Sequence, residues 1–274
     1  MTSQATLTGE TLTSAEEVAA QIRYNVETQI RRGDLICMGR HRLLCGDSTY
    51  PDETEALFDG AAIDCLLSDP PYCSGGFQEA GRSAGSIGTR GDATIKNDML
   101  STRGYQSLIR NVIRSANCAA LYLFTDWRMW VNLFDLVEAC GYGVRSMIVW
   151  DKGSMGLGVG WRAQHELILH ARLSSSAHLF ERKYCAGNVI RQSRTGNKFH
   201  PTEKPVALLK EILRVTPNAG RIYDPFVGSG TTILACEDLG RECYAMEMSP
   251  VFCQVAVDRW ERHTGRRAEI RGAR

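Results

Sequence analysis

Residues 221–248 read RIYDPFVGSGTTILACEDLGRECYAMEM. RIYDPF has the short, apolar, aromatic-rich character of a buried strand, and ECYAMEM repeats it. Between them TTILACEDLG reads as a helix closed by Gly240. Strand, glycine turn, helix and strand in that order make one βαβ unit, whose two strands must lie parallel.

The alternation continues outward in both directions. Downstream, SPVFCQVAVDRWERHTG (249–265) reads as a helix with Ser249 as cap and Pro250 at its first position. Upstream, PVALLKEILRV (205–215) is a helix with Pro205 in the first turn. Apolar stretches at 62–67, 119–124, 144–150 and 166–171 read as strands, and 103–117 and 127–140 carry helical periodicity. A further helix is expected over 14–31, with Ser14 and Glu17 forming a capping box. The expected fold is α/β: a doubly wound, mainly parallel, seven-stranded sheet with one antiparallel hairpin.

At 274 residues, 43% of them hydrophobic and 23% charged, the chain suits one α/β domain, with residues 1–34 as an extension and 35–274 as the body. It contains no apolar run of the ~18 residues that a membrane span needs. The polar start lacks the layout of a signal peptide, so a cytoplasmic location is expected. None of the ten cysteines forms a C-x-x-C pair, and most lie in apolar runs, which points to reduced, packed thiols and no metal site. HELILH (165–170) is not the zinc motif H-E-x-x-H, because its histidines are five apart.

The glycine turn, DPFVGSGTT (224–232), leaves backbone N–H groups open at a helix start, where a ligand can approach closely. It is neither a P-loop, since no G-K-[ST] follows, nor the dinucleotide fingerprint, since Ile233 stands where a third glycine would be. Glu247 closes the next strand at the distance from which an acid grips ribose hydroxyls. An adenosine without a pyrophosphate fits this pattern. A tight βα turn with no ligand fits the glycines alone.

A second unusual stretch is LLSDPPYCSGG (66–76), where an apolar run ends in Asp69, two prolines and Tyr72. The prolines stop the strand and fix two φ angles. Residues 73–91 hold six glycines and little apolar content, so 73–98 is expected to be a mobile binding loop. Cys73 follows the tyrosine directly and can pack or touch a ligand.

DPPY (69–72), HPTEKP (200–205) and DPFVGSGTT (224–232), in that order, resemble the S-adenosylmethionine-dependent amino-methyltransferases of DNA, in their permuted β-class. HRLLCGDS (41–48), the Trp150-x-Lys152 pair, RAQHELIL (162–169) and RWERHTG (259–265) extend the likeness over about 35–265, closest to short phage-type adenine methylases. The resemblance implies S-adenosylmethionine as cofactor. It places Asp224, Phe226, Gly228, Gly230 and Thr231 at the methionine portion and Glu247 at the ribose, with Asp47, Thr202 and Lys204 nearby. The reaction centre would be Asp69, Pro70, Pro71 and Tyr72.

That chemistry explains the motif. An adenine amino group is a poor nucleophile, because its lone pair is delocalised into the ring. The Asp69 carboxylate and the Pro70 carbonyl can accept its two N–H bonds and free the lone pair, with the prolines locking the geometry. A carboxylate there also stabilises the positive charge that grows on nitrogen during attack. Tyr72 offers a stacking face for a base flipped out of the duplex. An aspartate in first position favours N6-adenine in this family, with N4-cytosine or RNA adenine as alternatives.

Net charge is +1, yet residues 182–221 hold nine Lys and Arg against two Glu. Double-stranded DNA is the expected partner, with Arg82, Arg90, Arg182, Lys183, Arg191, Arg194 and Lys198 as expected phosphate contacts. The segment 172–199 is small for a target-recognition region, which implies a short or relaxed recognition sequence. The first 34 residues match nothing catalytic and are open to a DNA contact or a homodimer contact.

Overall fold

A computed structural model of the chain describes residues 26–72, 101–156, 159–195 and 203–272. One mixed sheet organises it, built from β1 (Leu35–Met38), β2 (His41–Cys45), β3 (Cys65–Ser68), β4 (Ala120–Thr125), β5 (Gly143–Asp151), β6 (His165–Arg172), β7 (Val189–Arg191), β8 (Arg221–Asp224), β9 (Glu242–Glu247) and β10 (Glu269–Arg271). Their order across the sheet is β10-β1-β2-β9-β8-β3-β4-β6-β5-β7. The inner strands β2, β9, β8, β3 and β4 are parallel, while β6 runs against both β4 and β5.

The sheet therefore has ten strands where seven were expected. The three extra ones, β1, β7 and β10, are only three or four residues long and lie at or next to the two edges. β1 (LICM) buries only alternate residues, and β7 and β10 are exposed or half-buried throughout, so none carries a continuous run of buried side chains to mark it in the sequence. β1 also pairs with β2 as a second antiparallel hairpin.

The expected helix over 14–31 lies outside the described residues as far as residue 25, and 26–31 are not helical. There the Thr28 hydroxyl accepts the Ile30 N–H at 2.9 Å and the Asp34 carboxylate accepts the Arg31 N–H at 2.8 Å. Such local side-chain bonds compete with a helical ladder. Ile30 is buried in the core of the body.

Both sheet faces are covered by helices, which is why β3 and β4 are buried at every position. Alternate residues feed two core layers: Leu67, Tyr122 and Ile222 join one, Leu66, Leu121 and Tyr223 the other. α1 (Pro51–Phe58), α2 (Thr102–Ala116) and α3 (Trp130–Ala139) pack on the second face. α4 (Val206–Arg214), α5 (Thr231–Asp238) and α6 (Pro250–Thr264) pack on the first.

α2 shows how the sequence encodes one such helix. Ser101 caps it, accepting the Gly104 N–H at 3.2 Å, and Asn117 ends it in a left-handed turn. Between the caps Tyr105, Leu108, Ile109, Val112 and Ile113 recur at helical spacing on one buried face. Burying each of these side chains contributes about 1.5–3 kcal/mol.

The chain leaves β3 toward β4 on one side and leaves β8 toward β9 on the other, and β3 and β8 are neighbours. Their carboxyl ends therefore carry loops that part in opposite directions, which opens a crevice at that point. Asp69 follows β3 and Asp224 ends β8, so both flank it.

Candidate active site

Four adjacent parallel strands, β2, β9, β8 and β3, each deliver a carboxylate to the same edge of the sheet: Asp47, Glu247, Asp224 and Asp69. These residues, far apart in sequence, form an acidic rim around the crevice. Such a rim suits a ligand with positive charge.

At the β3 side, all described peptide bonds are trans and Pro70 is buried. Asp69 and Tyr72 close on each other across the two prolines, with the Tyr72 hydroxyl donating to Asp69 Oδ1 at 2.5 Å. The same hydroxyl lies 3.2 Å from Glu166 Oε2. Lys204 Nζ donates to Asp69 Oδ2 and sits 3.3 Å from Glu166 Oε2. Lys152 Nζ takes the other oxygen of Glu166 at 2.5 Å. The site thus holds two carboxylates, two ammonium groups and a phenol in one connected network.

The two carboxylates are driven apart in acidity. Burial pushes the Asp69 carboxyl above its ordinary value; Lys204 pulls it down and the Glu166 charge pushes it further up. Burial acts on Glu166 too, but Lys204 and Lys152 together hold it down at about 2. Burial opposes the charge on Lys204, and the two carboxylates more than restore it. Burial lowers Lys152 despite Glu166. Glu166 is the permanent anion, and Asp69 is the readier proton acceptor.

On the β8 side the glycine turn is held by side chains around it. Glu247 Oε2 accepts the Gly228 N–H at 3.0 Å and its Oε1 accepts the Ser249 N–H at 2.9 Å. Gly230 adopts φ +84°, and a Cβ there would meet the Ala256 Cβ of α6 at 2.7 Å. Only a glycine fits that approach. Asp224, 4% exposed, accepts from the Thr232 hydroxyl at 2.5 Å and from the Phe226 N–H at 3.1 Å. Its burial lifts the pKa to about 7. Phe226 is half-buried against the second core layer. On β2's side, Asp47 Oδ1 accepts from the Thr49 N–H and hydroxyl at 3.0 and 2.7 Å.

Two further residues tie these parts together. Arg259 of α6 donates to the Ser229 carbonyl at 2.8 Å and to the Thr231 hydroxyl at 3.3 Å, and pairs with Glu203 at 2.9 Å. Glu203 precedes Lys204, so one buried guanidinium links the glycine turn to the lysine on Asp69.

The sequence-predicted residues Asp69, Pro70, Pro71, Tyr72, Asp47, Asp224, Phe226, Gly228, Gly230, Thr231 and Glu247 thus gather along one edge. Lys204, expected near the cofactor, reaches the Asp69 carboxylate. Thr202, Arg82, Arg90, Lys198, Cys73 and the loop 73–98 lie outside the described residues. Arg182, Lys183, Arg191 and Arg194 are exposed. Within 172–199, a 3₁₀ turn (Ser174–Leu179) and β7 are built into the body, with Ser176 and Leu179 buried. His170 stacks flat on Tyr122 at 4.7 Å, and burial lowers its pKa to about 4.

Glu166, Lys152, Glu203 and Arg259 were in motifs noted for likeness but had been given no role. A signal existed for the first two: Glu166 and Lys152 are charged residues close to the apolar runs LIL (167–169) and MIVW (147–150) of two strands that pair with each other beside β4.

Residues 63–258 match the model of the N6/N4 methyltransferase family, described as DNA methylase. The chain belongs to that family. The DNA methylase match spans both β3 with its DPPY and the glycine turn after β8. Among relatives, the methylase YubD of Escherichia coli strain K12 is 29% identical, over 70% of this chain and 79% of its own. The type II methyltransferase M2.LlaDCHI of Lactococcus lactis is 26% identical, over 72% and 82%. Among solved structures, M1.HpyAVI bound to S-adenosylmethionine superposes with a TM-score of 0.57 at 22% identity, covering 79% of this chain and 98% of that one. The PvuII DNA methyltransferase, cytosine-N4-specific, does so with 0.55 at 15% identity, over 80% and 86%. These two likenesses establish the shared fold of the DNA methylases.

Proposed function

We propose that this DNA methylase transfers the methyl group of S-adenosylmethionine to the N6 amino group of adenine in double-stranded DNA, at a short or relaxed recognition sequence. The observation that carries the reading is the placement of Asp69 and the rigid Pro70-Pro71 beside a glycine turn with an acidic rim. A sulfonium cofactor with an ammonium group carries two cationic centres, and the carboxylates of Asp224, Glu247 and Asp47 complement them. Glu247 Oε1 and Oε2 accept the Ser249 and Gly228 N–H groups, which holds the carboxylate at the glycine turn, where ribose hydroxyls would meet it. The M1.HpyAVI and Thermus thermophilus TTHA0409 structures, similar in fold, hold S-adenosylmethionine.

The target amine would place its N–H bonds on Asp69 and the Pro70 carbonyl. Nitrogen then attacks the sulfonium methyl: the N–C bond forms, the C–S bond breaks, and its electron pair stays on sulfur. The nitrogen sheds a proton to Asp69, whose raised pKa makes it a competent acceptor. Tyr72 would supply the face on which the flipped base stacks.

Incubating the protein with labelled S-adenosylmethionine and duplex DNA, single-stranded DNA or RNA, followed by nucleoside analysis, tests the reading. N6-methyladenine in duplex DNA is the expected product; N4-methylcytosine would overturn the adenine assignment. Asp69→Ala should lower turnover by at least about 10³-fold with the cofactor still bound. Near-normal turnover would refute the role of Asp69.

A further inference from the structure

A substrate N–H reaching Asp69 must compete with two strong donors for the charge of its carboxylate. Its Oδ1 is occupied by the Tyr72 hydroxyl at 2.5 Å and its Oδ2 by the Lys204 ammonium. Both donors are buried or half-buried, so neither can retreat to water without a large loss. Each already has a second seat. Glu166 Oε2 lies 3.2 Å from the Tyr72 hydroxyl and 3.3 Å from Lys204 Nζ.

We propose that Glu166 is a positioning residue that takes Tyr72 and Lys204 off Asp69 when the target amino group arrives. The proposal rests on the reading of Asp69 as acceptor of the target amine. Lys152 makes the exchange possible by anchoring Glu166 Oε1 at 2.5 Å, which leaves Oε2 turned toward the two shared donors. β6 carries Glu166 and β5 runs into Lys152, and the pairing of Trp150 with Glu166 sets their register. The exchange shortens contacts that already exist and breaks no covalent bond. Afterwards Lys204 remains paired, the Asp69 oxygens are open to the incoming N–H, and the ammonium no longer lowers the affinity of Asp69 for the proton that nitrogen will shed. Other charges around the network are Arg194 near Lys152 and Asp224 near Asp69, which act on those two residues through charge.

Glu166→Gln tests this. Without the second anion, Lys204 stays on Asp69 and leaves it only as a neutral amine. Turnover near neutral pH should fall on the order of 10²-fold, the effect of misplacing a reacting group. It should climb again as pH approaches the ordinary lysine range of about 10, while the unmodified protein shows no such climb. Glu166→Asp, which keeps the charge, should recover part of the loss, and cofactor affinity should stay within about twofold of normal in both. Unchanged turnover in Glu166→Gln, or a loss that is the same at every pH and is not relieved in Glu166→Asp, would overturn the proposal. A ternary crystal structure with duplex DNA and an unreactive cofactor analogue provides a test free of variants. Lys204 should then lie nearer Glu166 than Asp69, and finding it still on Asp69 sinks the idea. Turnover surviving in Asp69→Ala refutes the underlying reading instead, so the two failures are distinguishable.

Discussion

Asp224 lies at the floor of the crevice with almost no exposure, and its folded pKa of about 7 stands well above the ordinary 3.8. The raised value means that the fold favours the protonated form. Its contribution is fully present below the ordinary pKa and is lost as pH rises through about 7, by up to about 4 kcal/mol. The cofactor-free Asp224→Asn protein should therefore lose less stability than the unmodified one between about pH 5 and pH 8. An asparagine can still accept from the Phe226 N–H and can donate to the Thr232 hydroxyl, so the comparison isolates the charge. Urea unfolding at both pH values reads the difference, and parallel pH profiles would contradict it. Other shifted groups, such as Glu166 near 2 and His170 near 4, are common to both proteins and cancel.

At the scale of elements, α6 is fixed to the glycine turn by close contact and by charge. Gly230 admits the helix backbone, and Arg259 reaches from it to Ser229, Thr231 and Glu203. Arg259 and Glu203 are both buried, so deleting Arg259 leaves the Glu203 charge buried without its guanidinium. Arg259→Met should destabilise the protein by about 3–5 kcal/mol. The double variant Arg259→Met/Glu203→Gln should be more stable than Arg259→Met alone, since the buried anion that lost its guanidinium is removed as well. Thermal unfolding of the cycle measures this coupling. Additive losses would mean that the pair contributes nothing beyond its parts.

Across the whole molecule, strand direction gathers chemistry that the chain disperses. β4, β5 and β7 run parallel to β3, so Arg191 at the end of β7 and Arg194 beyond it stand at the same sheet edge as Asp69. Arg191 is 78% exposed at its side chain and only loosely approached by Asp151 at 3.9 Å. Exposed guanidinium groups at that sheet edge suit the phosphates of a duplex. Arg191→Ala/Arg194→Ala should weaken duplex binding similarly for all sequences. It should also reduce the slope of log affinity against log salt by about 1–2, leaving the methylated base unchanged. An altered product, or an unaltered slope, would show that these arginines do something else.

The last third of the chain was legible residue by residue. The glycine turn, its flanking strands and the capped helices at 205–215 and 249–265 follow from local rules: apolar runs, caps, prolines at helix starts. DPPY was legible because two prolines after a buried strand serve no purpose in regular structure. The short edge strands were not, since a three-residue exposed strand owes its existence to the neighbour it pairs with. Nor was the helix expected over 14–31 realised at 26–31, where Thr28 and Asp34 bond the backbone themselves.

The sequence by itself determined which chemical groups are available and the strand ends that carry them: a rigid acid after β3, glycines after β8, an acid after β9. Only the tertiary structure decided which charges face one another. Lys204 on Asp69, with Glu166 and Lys152 behind it, depends on the sheet bringing β3, β6 and the loop before α4 together. Ion pairing acts over a few ångströms of space and is indifferent to the 135 residues of chain that separate Asp69 from Lys204.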